Sequence, residues 1–458
     1  MNQDRRSLTE GSIPRALFLF TLPMLAGNVL QSLNGSVNSV WVGRYLGEAA
    51  LAATTNASML MFLVMGGVFG LSMAATILVA QSYGARDLPG ARRVVGTSAT
   101  FFVGIALLTG VGGIVFVRPL LTWLRTPADV VPYALPYLRI TFAALPLSVI
   151  YFFIMGILRG AGDSRTPFRF LVLSVVLDVA LNPLFIFGLG PVPRLGVAGS
   201  ATASLVAGTV SLLAMLAHLY RERNALCIYG DELHLFRPDW SIVRTLVTKG
   251  VPMGLQMLVL SSSMIAIVGL VNRFGSHVTA AFGASMQLWT YVQMPAFAVS
   301  AAVSSMAAQN VGAGNWPRVG ETMRAGVTFS VALTGGLVLV LLLAGRPLLA
   351  LFLPSGSLAL DLAVHANRIV LWALILSGTT MVLFGVVRST GAVIAPVFIL
   401  FVSMWLVRFP LAYALLGRLQ EDAIWLSFPV ASSVSVLLAS LYYRFGGWRH
   451  AKMRHGPA

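Results

Sequence analysis

Runs of about twenty residues with almost no charge recur along this chain, and each is long enough to cross a bilayer as an α-helix. Twelve such runs fall at 13–42, 51–78, 92–116, 131–158, 168–189 and 196–220, then at 246–271, 280–306, 319–343, 364–387, 393–416 and 424–443. Of the 458 residues, 57% are hydrophobic and only 10% are charged. A soluble domain carries about 25% charged residues because much of its surface stays in water. A surface facing hydrocarbon needs no such charge, so the chain is expected to be an all-α integral membrane protein with twelve transmembrane helices. The first run is long enough to span and lacks a clear cleavage site, which separates it from a signal peptide.

The net charge of +16, from 31 basic and 15 acidic residues, is explained by topology. With the amino terminus inside, cytoplasmic segments collect 21 basic residues and the opposite loops seven, the remaining three (Arg139, Arg368, Arg408) lying in or near helices. That asymmetry places both termini in the cytoplasm of a bacterial inner membrane. No aromatic-interleaved basic tract or zinc spacing points to nucleic acid. Cys227 is the sole cysteine, so no intramolecular disulfide can form.

The two sets of six runs repeat each other at an offset of 228–229 residues: Pro23 answers to Pro252, Arg44 to Arg273, AQSYGARD from Ala80 to AQNVGAGN from Ala308, Arg139-Ile140 to Arg368-Ile369, and GILRGAG from Gly156 to GVVRSTG from Gly385. An even number of helices per repeat enters from the same side, which implies two pseudo-symmetric six-helix bundles related by an axis along the membrane normal. The expected bundles are residues 1–220 and 245–458, the second with a short cytoplasmic tail. They are joined by a solvated cytoplasmic linker at 221–244, in which 233–243 has the pattern of a short surface helix. A cleft between two such bundles suits alternating access. Gln81 and Gln309 of the duplicated motif read as helix-end residues, with Gly84 and Gly312 letting the chain turn.

No HExxH, GxSxG or Walker pattern occurs, so neither an embedded enzyme nor direct ATP hydrolysis is indicated, and no cofactor is expected. Asp178 is the only acidic residue deep within a span. A carboxyl group in low dielectric either takes a proton or holds a cation and several dipoles, and both states suit coupling to H+ or Na+, with a candidate Na+ site near Asp178. Ser174, Asp178 and Asn182 share one helical face. Gln31, Asn34 and Asn38 form a second polar stripe that should face protein. Asn34 and Asn38 join the candidate ion site. Gln31, Gln256, Met257, Gln287, Tyr291 and Arg408 are candidate substrate contacts, with Arg408 also a candidate partner for Asp178.

These segments resemble the multidrug and toxic compound extrusion (MATE) family: LNGSVNSVWVGRYLGEAALAA, AQSYGARD with AQNVGAGN, GILRGAGDSRTP, and LDVALNPLFIFGLG followed by LGVAGSATA. The resemblance runs through both halves and is nearer to the DNA-damage-inducible branch. It implies a pair of six-helix bundles, functional as a monomer, exporting small amphipathic or cationic compounds in exchange for H+ or Na+. The family's fifth-helix pattern places Asn before Asp at a spacing of four. Here Asp178 and Asn182 stand in exchanged order, and Asn38 stands where the family's first-helix aspartate is expected. The acids of the sodium-coupled branch in the seventh and tenth helices are absent, Leu260 lying near the former. The alternative within the superfamily is a lipid-linked saccharide flippase, which would need deep basic residues such as Arg139, Arg368 and Arg408.

Overall fold

The computed structural model describes residues 8–188, 193–354 and 356–453. Every long element among them is a helix: α1 (Ile13–Leu46), α2 (Glu48–Gly84), α3 (Leu88–Trp123), α4 (Val131–Gly160), α5 (Arg165–Phe187) and α6 (Val197–Arg221), then α7 (Trp240–Val271), α8 (Ser276–Gly312), α9 (Trp316–Leu349) and α10 (Leu358–Arg388). The eleventh span is interrupted, with α11 (Ile394–Phe401) and α12 (Phe409–Leu419) flanking a π-helical turn at Val402–Arg408, and α13 (Asp422–Phe445) completes the set. Eleven of these spans are long and apolar enough to cross a membrane. The remaining one, α8, is diluted by Gln287, Gln293, Gln309 and Asn310. The chain is a multi-pass membrane protein. Helices such as α2, with 37 residues, outrun the expected spans because hydropathy marks only the part in hydrocarbon, about 20 residues.

Residues Leu22–Gly250 pack as one compact unit, while the described residues up to Thr21 pack with those from Val251 onward in a second. Both divisions fall beside the paired prolines, Pro23 in α1 and Pro252 in α7. In the second unit the Leu8 amide donates to Gln309 Oε1 at 3.1 Å, Asn310 Nδ2 donates to the Leu8 carbonyl at 3.3 Å, and Arg318 donates to the Gly11 carbonyl at 3.1 Å. In the first unit the linker 221–244 is tied down along α3, where sequence alone suggested a solvated loop. Its short helix forms at Gly230–Phe236 as a 3-10 turn, earlier than the 233–243 pattern implied. Arg92 grips Glu232 at 2.6 Å and the Ala225 carbonyl at 2.8 Å, and Thr100 donates to the Phe236 carbonyl at 2.7 Å. A Cβ at Gly96 would lie 2.4 Å from the Leu235 carbonyl oxygen, so only glycine lets the linker lie this close. Cys227 is buried beneath the same segment, which pushes its thiol pKa up.

The duplicated motifs are packing devices. Gly156 and Gly160 bring α4 against Ser72 and Thr76 of α2: a Cβ at Gly160 would stand 2.6 Å from the Thr76 carbonyl oxygen. At the matching place in the second unit, a Cβ at Gly385 would stand 2.8 Å from the Ser300 carbonyl oxygen of α8. Small residues at this spacing let helix backbones approach where no hydrophobic effect drives them together. After α2 and α8 the chain turns not at Gly84 and Gly312 but two residues later, at Arg86 (φ 59°) and Gly314 (φ 70°). The next residues, Asp87 and Asn315, then cap α3 and α9 by accepting from the amides of Gly90 and Arg318 at 2.9 and 3.4 Å.

Two outcomes follow from these contacts. Replacing Gly385 or Gly160 by leucine overpacks a helix crossing, at a cost of about 1–3 kcal/mol. The thermal midpoint in detergent should fall by several degrees, whereas Gly104→Leu, which has open space around its Cβ position, should leave it unchanged. Asp239, which pairs with Arg93 at 2.8 Å, feels a partial burial that opposes ionisation. Its hydrogen bonds from the Ser241 hydroxyl and amide, with Arg93 and the Ile242 amide, outweigh that and hold its carboxyl below the usual range. Because the folded-state value is depressed, its contribution is complete above the ordinary carboxylate pKa and is lost as pH falls through the lowered one. Hydrogen exchange of residues 230–239, corrected for intrinsic pH dependence, should therefore rise on strong acidification in the wild type, and the carboxyl-dependent part of that rise should vanish in Asp239→Asn.

Candidate functional site

The deep acid lies where three helices of the first unit converge. The chain enters α5 through Gly162 (φ 91°), and Asp163 accepts from the Thr166 amide at 2.9 Å and hydroxyl at 2.6 Å, so the GDSRTP motif sets the start of the helix. Beyond Arg169 only Ser174 interrupts the apolar run of α5 before Asp178 and Asn182, which are 3% and 0% exposed. Four residues apart, they occupy the same face one turn removed. Pro183 is accommodated inside the helix, and Asn182 Nδ2 donates back to the Asp178 carbonyl oxygen at 2.9 Å.

The Asp178 carboxylate accepts three side-chain hydrogen bonds. Asn34 Nδ2 and Asn38 Nδ2 of α1 both donate to Oδ2 at 2.9 Å, and Ser204 Oγ of α6 donates to Oδ1 at 2.8 Å. Asn182 Nδ2 also donates to Asn38 Oδ1 at 2.8 Å, closing a network across α1, α5 and α6. The stripe of Asn34 and Asn38 therefore faces the stripe of Asp178 and Asn182, as their periodicity indicated. Ser204 is the member that sequence reading missed, because α6 carries several small hydroxyl residues, Ser200, Thr202, Thr209 and Ser211 among them, and nothing within the helix singles one out. Tyr137 on α4 lies within electrostatic reach of the carboxylate.

What this network leaves over defines its chemistry. The buried side-chain oxygens Asn34 Oδ1 and Asn182 Oδ1 have no hydrogen-bond partner. Among the described residues no basic side chain forms an ion pair with Asp178. The cluster thus holds one negative charge and two buried amide oxygens without a partner. An excess of oxygen acceptors around a carboxylate is the donor set of a hard cation. No group of three or more His, Cys, Asp or Glu side chains able to hold a metal occurs among the described residues, so this set differs from a transition-metal centre. Toward the ends of α1 and α5, Trp41, Tyr45 and Phe187 pack on one another, with ring centroids 5.3 Å apart for Trp41–Tyr45 and for Tyr45–Phe187.

The other sequence candidates are dispersed. Ser174 lies a turn before Asp178 on α5 but makes no hydrogen bond to the cluster. Gln31 is exposed on α1. In the second unit, Gln256 is buried and accepts from Arg388 Nη1 at 3.0 Å. Met257 beside it is half-buried, and the exposed Gln287 reaches Tyr291 Oη at 3.3 Å. Arg408 is buried against Phe428, its guanidinium carbon 3.5 Å from the ring centroid, so its immediate partner is an aromatic face and not Asp178.

Comparison with known proteins agrees with this architecture. The MatE family model matches residues 23–184 and 252–414, one copy in each half. The chain is 34% identical to the probable multidrug resistance protein YoeA of Bacillus subtilis over 436 residues, covering 95% of this chain and 94% of that protein. It is 31% identical to the probable multidrug resistance protein YpnP of the same organism, covering 97% and 98%. A crystal structure of a MATE in complex with MaD3S superposes with a TM-score of 0.88 at 22% identity, covering 97% and 98% of the two chains, which shows the shared twelve-helix fold. On these grounds the chain belongs to the MATE family of multidrug and toxic compound extrusion proteins, which are transmembrane transporters of small molecules and not enzymes.

Proposed function

We propose that this protein is a secondary active antiporter that exports small amphipathic or cationic compounds in exchange for Na+ or H+ bound at Asp178. The single observation behind this reading is the buried carboxylate with two unpartnered amide oxygens beside it. An isolated charge at membrane depth is costly. A cation entering such a site removes that cost, and its departure restores it, so occupancy changes the relative energy of two helix arrangements. Alternation between them carries cargo without any bond being made.

The acceptor surplus favours Na+ over a proton. A proton on Asp178 would convert one acceptor into a donor and serve one of the spare oxygens at most, whereas a cation can be met by carboxylate, amide and hydroxyl oxygens together. Asn34, Asn38, Asn182 and Ser204 would supply the neutral ligands, and the exchanged order of Asp178 and Asn182 leaves the same two groups on the same face. The excess of basic residues in alternate loops supports both termini in the cytoplasm. A complete ion site within one chain supports function as a monomer.

Uptake by proteoliposomes under separate sodium and proton gradients tests the reading. Asp178→Asn should reduce gradient-driven export at least tenfold while the protein remains inserted and folded; undiminished exchange would remove Asp178 from the mechanism. Ser204→Ala removes one neutral oxygen ligand from the cation and should raise the half-saturating sodium concentration about tenfold, or about 1.4 kcal/mol of binding. Export driven by a proton gradient alone, with no sodium dependence, would identify H+ as the coupling ion.

A further inference from the structure

The second unit contains the opposite imbalance. Arg408 is 6% exposed at the end of the π-helical turn, and among the described residues its only hydrogen-bond acceptor is Met404 Sδ, 3.8 Å from Nη1. Nε and Nη2 are buried and have no partner. Among the described residues no carboxylate pairs with it: Asp361 is bound to Arg346 and Asp422 to His365, each at 2.8 Å. The charge cannot be discharged by losing a proton, since arginine stays protonated in proteins. Stacking on Phe428 offsets part of the desolvation through the ring's negative face, but it uses the face of the guanidinium and leaves its edge free.

The free edge has a definite shape. Nε and Nη2 carry two parallel N–H groups along one edge of the guanidinium, in its plane, the fork that matches the two oxygens of a carboxylate. Around it the unit supplies a run of rings: Phe428 lies 5.1 Å from Trp289, Trp289 5.7 Å from Phe282, and Phe282 5.9 Å from Trp425. Trp425 Nε1 is a further buried donor without an acceptor. The local backbone is irregular for a physical reason: Pro410 has no amide to donate and crowds the turn before it, and widening that turn to π accommodates the ring. Such turns interrupt helices chiefly at functional sites.

We propose that Arg408 is the anchor of a carboxylate-binding site in the second unit, its Nε/Nη2 edge taking the two oxygens while the partly exposed Phe428 ring, backed by the buried Trp289 and Phe282, contacts an aromatic or apolar body. The carboxylate is that of a free acid in solution or that of an acidic or zwitterionic cargo. The site would admit, beside the cationic compounds named in the proposed function, cargo carrying one carboxyl group. This inference stands on the second unit alone and survives or fails independently of Asp178.

Thermal unfolding of the purified protein in detergent, at constant sodium and ionic strength, tests it with benzoate, acetate and the uncharged benzamide, each replacing equimolar chloride or added alone. Benzoate should raise the midpoint saturably and benzamide should not. A rise with acetate as well assigns the site to free carboxylates; a rise with benzoate alone assigns it to an acidic cargo with an aromatic body. Arg408→Lys keeps the charge but loses the paired fork, and should weaken the half-saturating benzoate concentration at least tenfold; Arg408→Gln should abolish the response. If Arg408→Gln does not fold, Arg408→Lys and the wild type decide. No saturable response to benzoate in the wild type, or one unchanged in Arg408→Lys, overturns the proposal.

Discussion

A polar group in hydrocarbon must find its partner inside the protein, and this one constraint organises both units. It makes every spanning element helical, turns the asparagine stripe of α1 inward, and lets Asp178 exist only because Asn34, Asn38 and Ser204 converge on it. Where the partners are incomplete, the deficit marks chemistry. The first unit has spare oxygens around a carboxylate, and the second has spare N–H groups on a guanidinium. The two halves, which repeat each other in sequence, thus carry opposite imbalances, one of oxygen acceptors and one of N–H donors.

Helix packing obeys the same logic from the apolar side. Burial from water gives no preference for one helix neighbour over another within the bilayer, so close approach rests on shape. Gly156 and Gly160 against Ser72 and Thr76, and Gly385 against Ser300, set these crossings at backbone distance. The residues that bring helices together are therefore the small ones, and the duplicated GILRG and GVVRS segments are preserved where contact is tightest.

Much of this was legible in the sequence, and the limits have physical causes. Apolar runs revealed the spans, since length and lack of charge suffice for that. Asp178 with Asn182, and Asn34 with Asn38, were legible because a spacing of four puts residues on one face. Ser204 was not, because its position depends on how α6 lies against α5, which no periodicity within α6 encodes. Arg408 stood out as a deep cation, but its partner Phe428 is on another helix, and the π-helical turn that carries it has no hydropathy signature. The linker looked like a solvated loop because its charges are many; Arg92, Arg93 and Thr97 hold it on α3, and only the folded arrangement shows that.

The placement of the described residues up to Thr21 has a consequence for how the protein is made. Leu8 is held by Gln309 and Asn310, and Gly11 by Arg318, all of them made some three hundred residues later. Synthesis proceeds at about 5–20 residues per second, so this segment waits a good part of a minute for its partners. The first unit in turn cannot close until Gly250 has been made and inserted against Leu71. Each unit therefore takes its opening turn from the stretch of sequence that leads into the other half, and its packing is complete only once both stretches have been made.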